Sequence, residues 1–548
     1  MSFNLRSKSL LCDVAYNMSP LLKIFSIVLQ ISLAGLLVLS TGCTRSANRD
    51  KDSNTFVFRI AAEPPHLDPI RGIDHVSIDL MNNLLEGLMQ FDRDMSVIPA
   101  LATRYEVSKD KTVYTFYLRK DVVWSDGVPF TAEQVFYSWK RMLEPKNAAE
   151  FAYFFYDIEN AEDYNSGKVT DFSKVGIKVL DPLTVQVTLA RPIGFWATMT
   201  ATPAFFPVRE DLIEKHGSSW IQPPHFQTLG PYKLTSWEHD KQLVFEANEK
   251  YWEGTPPIKK VIGLIVEEAT TAVGLFEDGA LDLVRHLPTQ DVERIKKDAR
   301  YHKQSYFRGY YYGFNTTKKP FNNPKVRKAF AHAVDRHAIV SVLKGGQQAS
   351  ASWIPEGMLG YNASIGLSYN PDLAKKYLAE AGYPGGKGFP HAELSFDQRD
   401  DNKLVAEALQ GMWTKDLGVK LEIVSMEWKV YLDKTRTDPY PIYRMGWGAD
   451  FPDPNNFMDL FLSNSGTNDT NWSNPNYDKI VREAAGETIY VRRKNLYDQA
   501  QRMLLEQDAV IIPLFTESND YLADPRVRNF YLDKMNNMFI KRFEIAAD

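Results

Sequence analysis

Cysteine is nearly absent from this 548-residue sequence, which contains only Cys12 and Cys43. No cysteine lies beyond residue 43, so the chain that follows can form no internal disulfide. Its fold therefore depends on a packed core. Apolar residues suffice for this, at 44% hydrophobic and 13% aromatic. The chain is too long for a single hydrophobic core, so we expect two or three domains.

An excess of positive charge is also missing. The sequence has 64 basic and 69 acidic residues, which gives a formal net charge of −5. Proteins that bind nucleic acid need a basic surface, because most of their affinity comes from phosphate contacts. We therefore expect no nucleic acid among the partners of this chain.

Signatures of the common enzymes and metalloproteins are missing as well. The sequence contains no HExxH, GxSxG, P-loop or CxxC motif, and no GxGxxG motif after a strand. His332 and His337 lie five residues apart, whereas zinc ligands four apart would share one helix face. We expect no enzymatic activity, no metal and no cofactor, and a secreted hydrolase stays as an alternative.

One long hydrophobic run is present, at residues 24–39, and small residues and a cysteine follow it. This order is typical of a bacterial lipoprotein signal peptide. Residues 1–43 would form the signal, Cys43 would carry the lipid, and the polar residues 44–54 would form a flexible tether. A membrane-spanning anchor is the alternative, but the run is shorter than the roughly 20 residues that a span requires. We expect the rest of the chain in the cell envelope, in the periplasm or on the outer face of a membrane.

From Phe56 onward, the pattern of apolar residues predicts short strands and helices that are mixed without a strict alternation. A capping box at Thr131 predicts a helix start. Asn323 followed by Pro324 predicts another helix, with Gly345 as its stop. Two helix-to-strand units are expected, at residues 402–416 with 419–424 and at residues 490–507 with 510–515. Such units are typical of α/β domains.

Aromatic residues are concentrated in three segments, at residues 151–156, 306–314 and 444–457. We expect most of these side chains to pack in the core. The exception is Asp450, which lies between Trp447 and a Phe-Pro turn. A carboxylate in such surroundings must be solvated, paired or available for a cation. An exposed carboxylate in a turn is the alternative to a binding role.

Several short motifs occur in the order found in one known family. They are LDP at 67–69, LEGL at 85–88, PALA at 99–102, YTFYLRK at 114–120, WSDG at 124–127, GPY at 230–232, NEKYW at 248–252 and AEAGY at 379–383. On these motifs, residues 56–548 resemble the extracellular solute-binding proteins of family 5, which are the oligopeptide-, dipeptide- and nickel-binding components of ABC importers. The resemblance implies an α/β, periplasmic-binding-protein-like type II fold with two lobes, three domains and a ligand cleft between the lobes.

The same resemblance implies the domain boundaries. Domain I would comprise residues 55–85, 205–304 and 516–548. Domain II would be the insert at residues 86–204, and domain III would comprise residues 305–515. One lobe would combine domains I and II, and domain III would form the other lobe.

The segment from Arg444 to Asp450 resembles the peptide-binding segment of the family's oligopeptide binders. In those proteins the aspartate of this segment pairs with the α-ammonium group of the ligand, which implies this role for Asp450. Trp447 would form the wall of a side-chain pocket, and Gly448 and Ala449 would lie between these two residues.

Other candidate residues follow from the same resemblance. Arg436 and Arg444 would lie near the far end of the ligand. Phe151 stands where the family pattern leads us to expect a tyrosine. Asp74 lies beside Ile73, where a glutamate is expected. These departures leave the length and the side-chain preference of the ligand open.

The resemblance finally implies a function. The chain would be the lipid-anchored, monomeric binding component of an ABC importer, which captures oligopeptides and delivers them to a membrane permease and its ATPase. A fold does not determine its ligand. The alternatives are therefore the same fold with a nickel chelate, haem, a murein peptide or a sugar, and a sensor that passes its ligand to a signalling partner.

Overall fold

The structure is a computed structural model that describes residues 54–288 and 291–546. The expected signal peptide, Cys43 and residues 44–53 of the expected tether lie outside the described residues. The strands are β1 Thr55–Ile60, β2 Met89–Phe91, β3 Val97–Pro99, β4 Ala102–Val107, β5 Val113–Leu118, β6 Ile177–Asp181, β7 Thr184–Thr188, β8 Tyr232–Glu238, β9 Gln242–Ala247, β10 Lys260–Ile265, β11 Leu283–Arg285, β12 Tyr301–Phe314, β13 Gln348–Ala349, β14 Glu393–Asp397, β15 Glu422–Met426, β16 Ile442–Gly448, β17 Ile511–Ala523, β18 Val527–Arg528 and β19 Glu544–Ile545.

Helices lie between many of these strands. They are α1 His75–Leu84, α2 Ala132–Leu143, α3 Ala161–Asn165, α4 Trp196–Met199, α5 Glu210–His216, α6 Ala269–Glu277, α7 Val292–Ile295, α8 Pro324–His332, α9 Arg336–Leu343, α10 Pro371–Glu380, α11 Asp400–Leu417, α12 Trp428–Thr437, α13 Asn455–Met458, α14 Pro475–Gly486 and α15 Tyr490–Arg502. A 3-10 helix at Glu150–Phe155 also contributes to the site described below. The α/β class predicted from the sequence is confirmed.

A large mixed sheet runs through the molecule in the strand order β15-β14-β16-β12-β17-β11-β1-β10-β9-β8, and β13 pairs with β17. The two long central strands β12 and β17 are antiparallel from Tyr301 opposite Leu522 to Gly313 opposite Ile511. They join the part of the sheet around β1 to the part around β16. A separate antiparallel sheet, in the order β4-β5-β7-β6, comes from the insert between α1 and α5. The limits of the three expected domains stay a prediction.

The capping box at Thr131 is confirmed. The backbone N–H of Thr131 donates to Oε1 of Gln134 at 3.0 Å, and α2 begins directly afterwards. The predicted inward face of this helix is buried, including Val135 and Trp139. This face packs against the four-stranded sheet.

The helix predicted from Asn323 to Gly345 is wrong as a single element. It is broken into α8 and α9, which end at His332 and begin at Arg336. The cause is Asp335, whose side chain accepts the backbone N–H of Ala338 at 3.1 Å and so starts a new helix. His332 and His337 therefore lie on two different helices.

The two predicted helix-to-strand units are present with shifted boundaries. The first unit is α11 followed by β15, which starts at Glu422 after the buried Val419 and Leu421. The second is α15 followed by β17, with one π-helical turn at Met503–Gln507 between them. Strand β17 is much longer than the six residues predicted, because its second half pairs with β11 and β12.

Among the described residues, the buried apolar side chains form four clusters. The largest contains the tryptophans of the four-stranded sheet region, Trp139 and Trp196, together with Trp353 and Phe457 from beside β16. Two clusters lie against β1 and its neighbours, and one lies between β16, α8 and α11. Across residues 54–288 and 291–546, none of the helices combines the length and the hydropathy that a membrane span requires.

Candidate functional site

A cleft with a cavity volume of about 280 Å³ lies where the separate parts of the fold meet. It is lined by Ile73, His75, Ile78, Asn82, Phe91, Phe151, Phe154, Ala201, Thr202, Pro203, Ala204, Arg308, Trp447, Gly448, Ala449, Asp450, Met535, Asn537 and Phe539. This set includes four of the predicted site residues: Trp447, Gly448, Ala449 and Asp450. Phe151 approaches them from the side of the four-stranded sheet.

The residues at and just beyond the end of β16, from Trp447 to Asp450, line the cleft. This strand pairs with β12 up to Arg308 opposite Gly448, and the N–H of Ala449 then donates to the carbonyl of Phe307 at 2.8 Å. On its other side, β16 pairs with β14 only through Ile442 and Tyr443. Among the described strands, none pairs with that edge of β16 beyond Tyr443.

Asn456 fixes the position of Asp450. Its Oδ1 accepts the backbone N–H of Asp450 at 2.8 Å and the indole N–H of Trp447 at 3.1 Å. Its Nδ2 donates to Oδ2 of Asp450 at 3.3 Å. The side-chain amide of Asn456 thus holds the indole of Trp447 and the carboxylate of Asp450 in fixed positions relative to each other.

Asp450 has no basic partner within ion-pair distance in the part of the chain that the structure describes. Its carboxylate accepts hydrogen bonds from Asn456 and, at 3.4 Å, from the hydroxyl of Tyr153. Burial raises the pKa of Asp450 to about 6, and the two hydrogen bonds partly oppose this rise. A half-buried carboxylate without a counter-charge favours a cation as its ligand.

Three further carboxyl groups lie near Asp450. Asp453 is paired with Arg493 at 2.8 Å, and Asp157 with Arg191 at 2.7 Å. Asp459 has no such partner among the described residues, and burial, reinforced by the nearby carboxylates, raises its pKa to about 8. Two of these carboxylates are thus paired with arginines, and Asp459 is largely protonated at neutral pH, so Asp450 is the one of the four that lacks both a counter-charge and a proton.

The structure does not bring Arg444 to the lining of the cleft. Arg444 is buried, forms an ion pair with Asp397 at 3.1 Å, and lies 4.5 Å over the ring of Tyr310. Its backbone carbonyl accepts the hydroxyl of Tyr431 at 2.6 Å. These contacts hold the side chain of Arg444 in the protein interior, away from the lining of the cleft.

Arg436 and Asp74 also lie outside the lining. Arg436 is exposed in the last turn of α12, where it is near enough to Asp469 to oppose the rise that burial causes in the pKa of that carboxyl. Asp74 caps α1 by accepting the N–H and the hydroxyl of Ser77 at 3.0 and 2.6 Å. Its neighbours Ile73 and His75 line the cleft instead.

The site residues that reasoning from the sequence missed include Tyr153, Asn456 and Arg308. The first two lie inside the aromatic segments, where core packing was the expectation. Arg308 is the only charged residue in the segment 306–314, and that single charge was a signal. No group of three or more potential metal ligands occurs among the residues that the structure describes.

The sequence of this chain is similar to sequences of known proteins. The sequence profile described as "Bacterial extracellular solute-binding proteins, family 5 Middle" matches residues 96–469. The chain is 32% identical over 543 residues to the oligopeptide-binding protein OppA of Bacillus subtilis (strain 168), covering 96% of this chain and 98% of that protein. It is 31% identical over 504 residues to the probable deoxycholate-binding periplasmic protein YgiS of Escherichia coli (strain K12), covering 90% and 94%.

Solved structures give the same result for the fold. The periplasmic murein tripeptide-binding protein MppA, in its unliganded open form, superimposes with a TM-score of 0.80 at 28% identity. The match covers 90% of this chain and 98% of that protein. The two-lobe, periplasmic-binding-protein-like fold expected from the sequence is thereby confirmed.

Proposed function

Because the chain belongs to the bacterial extracellular solute-binding proteins of family 5, we propose that it captures oligopeptides and delivers them to the permease and ATPase of an ABC importer. The observation that carries this proposal is Asp450, a carboxylate in the cleft without a basic partner among the described residues. A peptide supplies the missing cation as its α-ammonium group. Charge-assisted hydrogen bonds between the two groups are about twice as strong as neutral ones.

A buried ion pair is favourable only where further hydrogen bonds satisfy both partners. Tyr153 and Asn456 already donate to Oδ2 of Asp450, which leaves Oδ1 for the ligand. The ammonium group would then bind between the end of β16 and the aromatic residues at 150–155. Trp447 would form a wall for the first side chains of the peptide.

The free edge of β16 supports recognition of the peptide backbone. Main-chain hydrogen bonds to an unpaired strand edge are the same for every peptide sequence, so a protein that uses them tolerates varied side chains. Beyond Arg444, whose carbonyl accepts the hydroxyl of Tyr431, β16 offers such an edge among the described strands. Extended peptide added there would run past Trp447 toward Asp450.

Two relatives of this chain are named for ligands other than an oligopeptide. The YgiS protein is named for deoxycholate, an anion, and an anion would leave the carboxylate of Asp450 without a counter-charge. The MppA protein is named for a murein tripeptide, which is a variant of the peptide proposal. We therefore keep the peptide as the proposed ligand.

The proposal includes a membrane anchor. Cys43 would carry a lipid that holds the protein at the cell envelope, with the cleft-bearing chain outside the cytoplasm as a monomer. The family is made of solute-binding proteins, so we propose no enzymatic activity.

Mass spectrometry of ligand released from the purified chain tests the proposal. We expect a mixture of peptides with free amino ends. Recovery of a haem, a metal chelate or a bile acid, with no peptide, would refute it.

A further inference from the structure

Most residues that line the cleft carry apolar side chains, and one group of them is aromatic. The rings of Phe151 and Phe154 are stacked with their centroids 4.9 Å apart, and both residues line the cleft together with Trp447. Asp450 lines the same cavity. A ligand whose amino group binds Asp450 therefore brings its first side chain to this aromatic wall of Phe151, Phe154 and Trp447.

A second apolar group lies on the α1 side of the cleft and consists of Ile73, Ile78 and Phe539. Ile73 and Phe539 are half-buried, yet neither belongs to any of the four core clusters of the described residues. Core packing therefore does not account for these two side chains. Accessible apolar surface inside a cavity is typical of a site that binds an apolar ligand group.

Phe539 is held against α1 by the backbone on both of its sides. The N–H of Met538 donates to Oδ1 of Asp79 at 2.8 Å, and the N–H of Ile540 donates to Oδ1 of Asn83 at 2.9 Å. Both acceptors are side chains of α1. The backbone position of Phe539 is therefore set before a ligand binds, which lowers the cost of ordering the site.

The cleft offers a charged ligand side chain no free counter-charge among the described residues. Arg308 is already paired with Glu517, with Nε 3.1 Å from Oε2. The pKa of His75 is lowered by desolvation and by the nearby Arg308, so this imidazole is neutral at neutral pH. Asp450 is occupied by the ligand's amino group in the function proposed above. A charged side chain in this cavity would therefore lose its water without gaining a partner, which is unfavourable.

We propose that the cleft selects peptides whose amino-terminal residue has a large apolar side chain. A side chain that fills the cavity contacts both the aromatic wall and the group around Phe539. Removing a large apolar side chain from water favours binding by roughly tenfold or more. At later positions, main-chain hydrogen bonds would bind every residue equally. This inference rests on the function proposed above and specifies its ligand class.

A selection experiment with the full chain, freed of copurified ligand, tests this inference. The protein is offered a mixture of random peptides of two to six residues, so that no ligand length is assumed. Bound peptides are released and sequenced by mass spectrometry, and the residue frequencies at each position are divided by those of the input mixture.

We expect large apolar residues (Phe, Tyr, Trp, Leu, Ile and Met) to be enriched at the first position by at least tenfold over Asp, Glu, Lys and Arg. At the third and later positions the same ratio should stay below threefold. A first position that follows the composition of the input mixture would overturn the inference, and so would an equal preference at every position.

The wild-type selection needs no substitution, and a variant adds a second test. In Phe539→Ser, the apolar enrichment at the first position should fall by at least threefold. Tyr490→Ser is the matched control, because Tyr490 is 64% exposed and does not line the cleft. Its enrichment should stay that of the wild type, and persistence of the wild-type enrichment in Phe539→Ser would contradict the role of Phe539.

The selection also separates this inference from the proposed function. Recovery of peptides without a preference at the first position would leave the peptide function standing and refute only the selection of an apolar residue. Recovery of no peptide from the mixture would refute the peptide function itself, and the inference with it.

Discussion

The hydroxyl of Tyr153 lies 3.4 Å from Oδ2 of Asp450, although 297 residues separate them in the sequence. Tyr153 belongs to the 3-10 helix beside the four-stranded sheet, and Asp450 lies two residues beyond the end of β16 in the large sheet. The contact therefore bridges the two walls of the cleft at the point where we propose that the ligand's amino group binds.

Removing the charge of Asp450 should weaken peptide binding strongly. Loss of one partner of a buried ion pair costs about 3–5 kcal/mol, so Asp450→Asn should reduce affinity by a hundredfold or more. Titration calorimetry with a recovered peptide measures this. Asp469→Asn is the control, because Asp469 also has a raised pKa and does not line the cleft. Unchanged affinity in Asp450→Asn would remove the basis of the proposed function.

The hydroxyl of Tyr153 should contribute a smaller amount. A hydrogen bond to a charged group is worth about 1.5–3 kcal/mol, and the length of this one places it at the lower end. We expect Tyr153→Phe to weaken binding by about tenfold in calorimetry. Tyr156→Phe is the matched control, because that hydroxyl binds Asn165 away from the cleft. Equal effects of the two substitutions would show that Tyr153 has no specific role.

Peptide binding should depend on pH through Asp450. The carboxyl of the ligand-free protein has a pKa of about 6, so its ionised fraction falls by about tenfold for each pH unit well below that value. The α-ammonium group stays charged up to about pH 8. Affinity measured from pH 4 to 9 should therefore be highest between pH 6 and 8. In Asp450→Asn the decrease on the acidic side should disappear, and an unchanged acidic limb would point to another titrating group.

The same carboxyl should destabilise the ligand-free fold at neutral pH. Its folded pKa of about 6 lies above the unfolded value near 3.9, so the folded state binds this proton more tightly. This group's contribution to the free energy of unfolding therefore decreases as pH rises from 4 to 6, and stays low above 6. Asp450→Asn should raise the melting temperature at pH 8, with a smaller gain at pH 5. A lower melting temperature at pH 8 would contradict this.

The roles of Arg444 as a ligand contact and as a structural residue predict different results. Arg444 is paired with Asp397 in the interior, so Arg444→Met leaves a buried carboxylate unpaired. We expect the free energy of unfolding to fall by about 3 kcal/mol or more. Chemical denaturation measures this. Unchanged stability with weaker peptide binding would instead support the ligand contact that the family resemblance implies.

Much of the fold could be predicted because local signals decide it. The capping box at Thr131 and the apolar period of α2 depend on residues close in sequence, and both are present in the structure. The break between α8 and α9 was missed because the side chain of Asp335 competes with the helix backbone, which apolar periodicity does not detect. The length of β17 depends on pairing with β11 and β12, which is set by the tertiary fold.

The candidate site was predictable only in part. The segment containing Trp447 and Asp450 stands out in the sequence because a carboxylate occurs among aromatic residues. The partners Tyr153 and Asn456 are recognisable only once the chain brings them to Asp450. Arg444 was a predicted site residue and Arg308 was not, yet only Arg308 lines the cleft. The register of β12 against β16 places Arg308 in the cleft, whereas Arg444 reaches Asp397 in the core.

The crystal structure of a complex with a recovered peptide tests the central claim most directly. The account predicts that the ligand's α-amino nitrogen lies about 2.7–3.0 Å from a carboxylate oxygen of Asp450, the distance of a charge-assisted hydrogen bond. A complex in which the ligand's amino group binds elsewhere while Asp450 faces solvent would contradict the account.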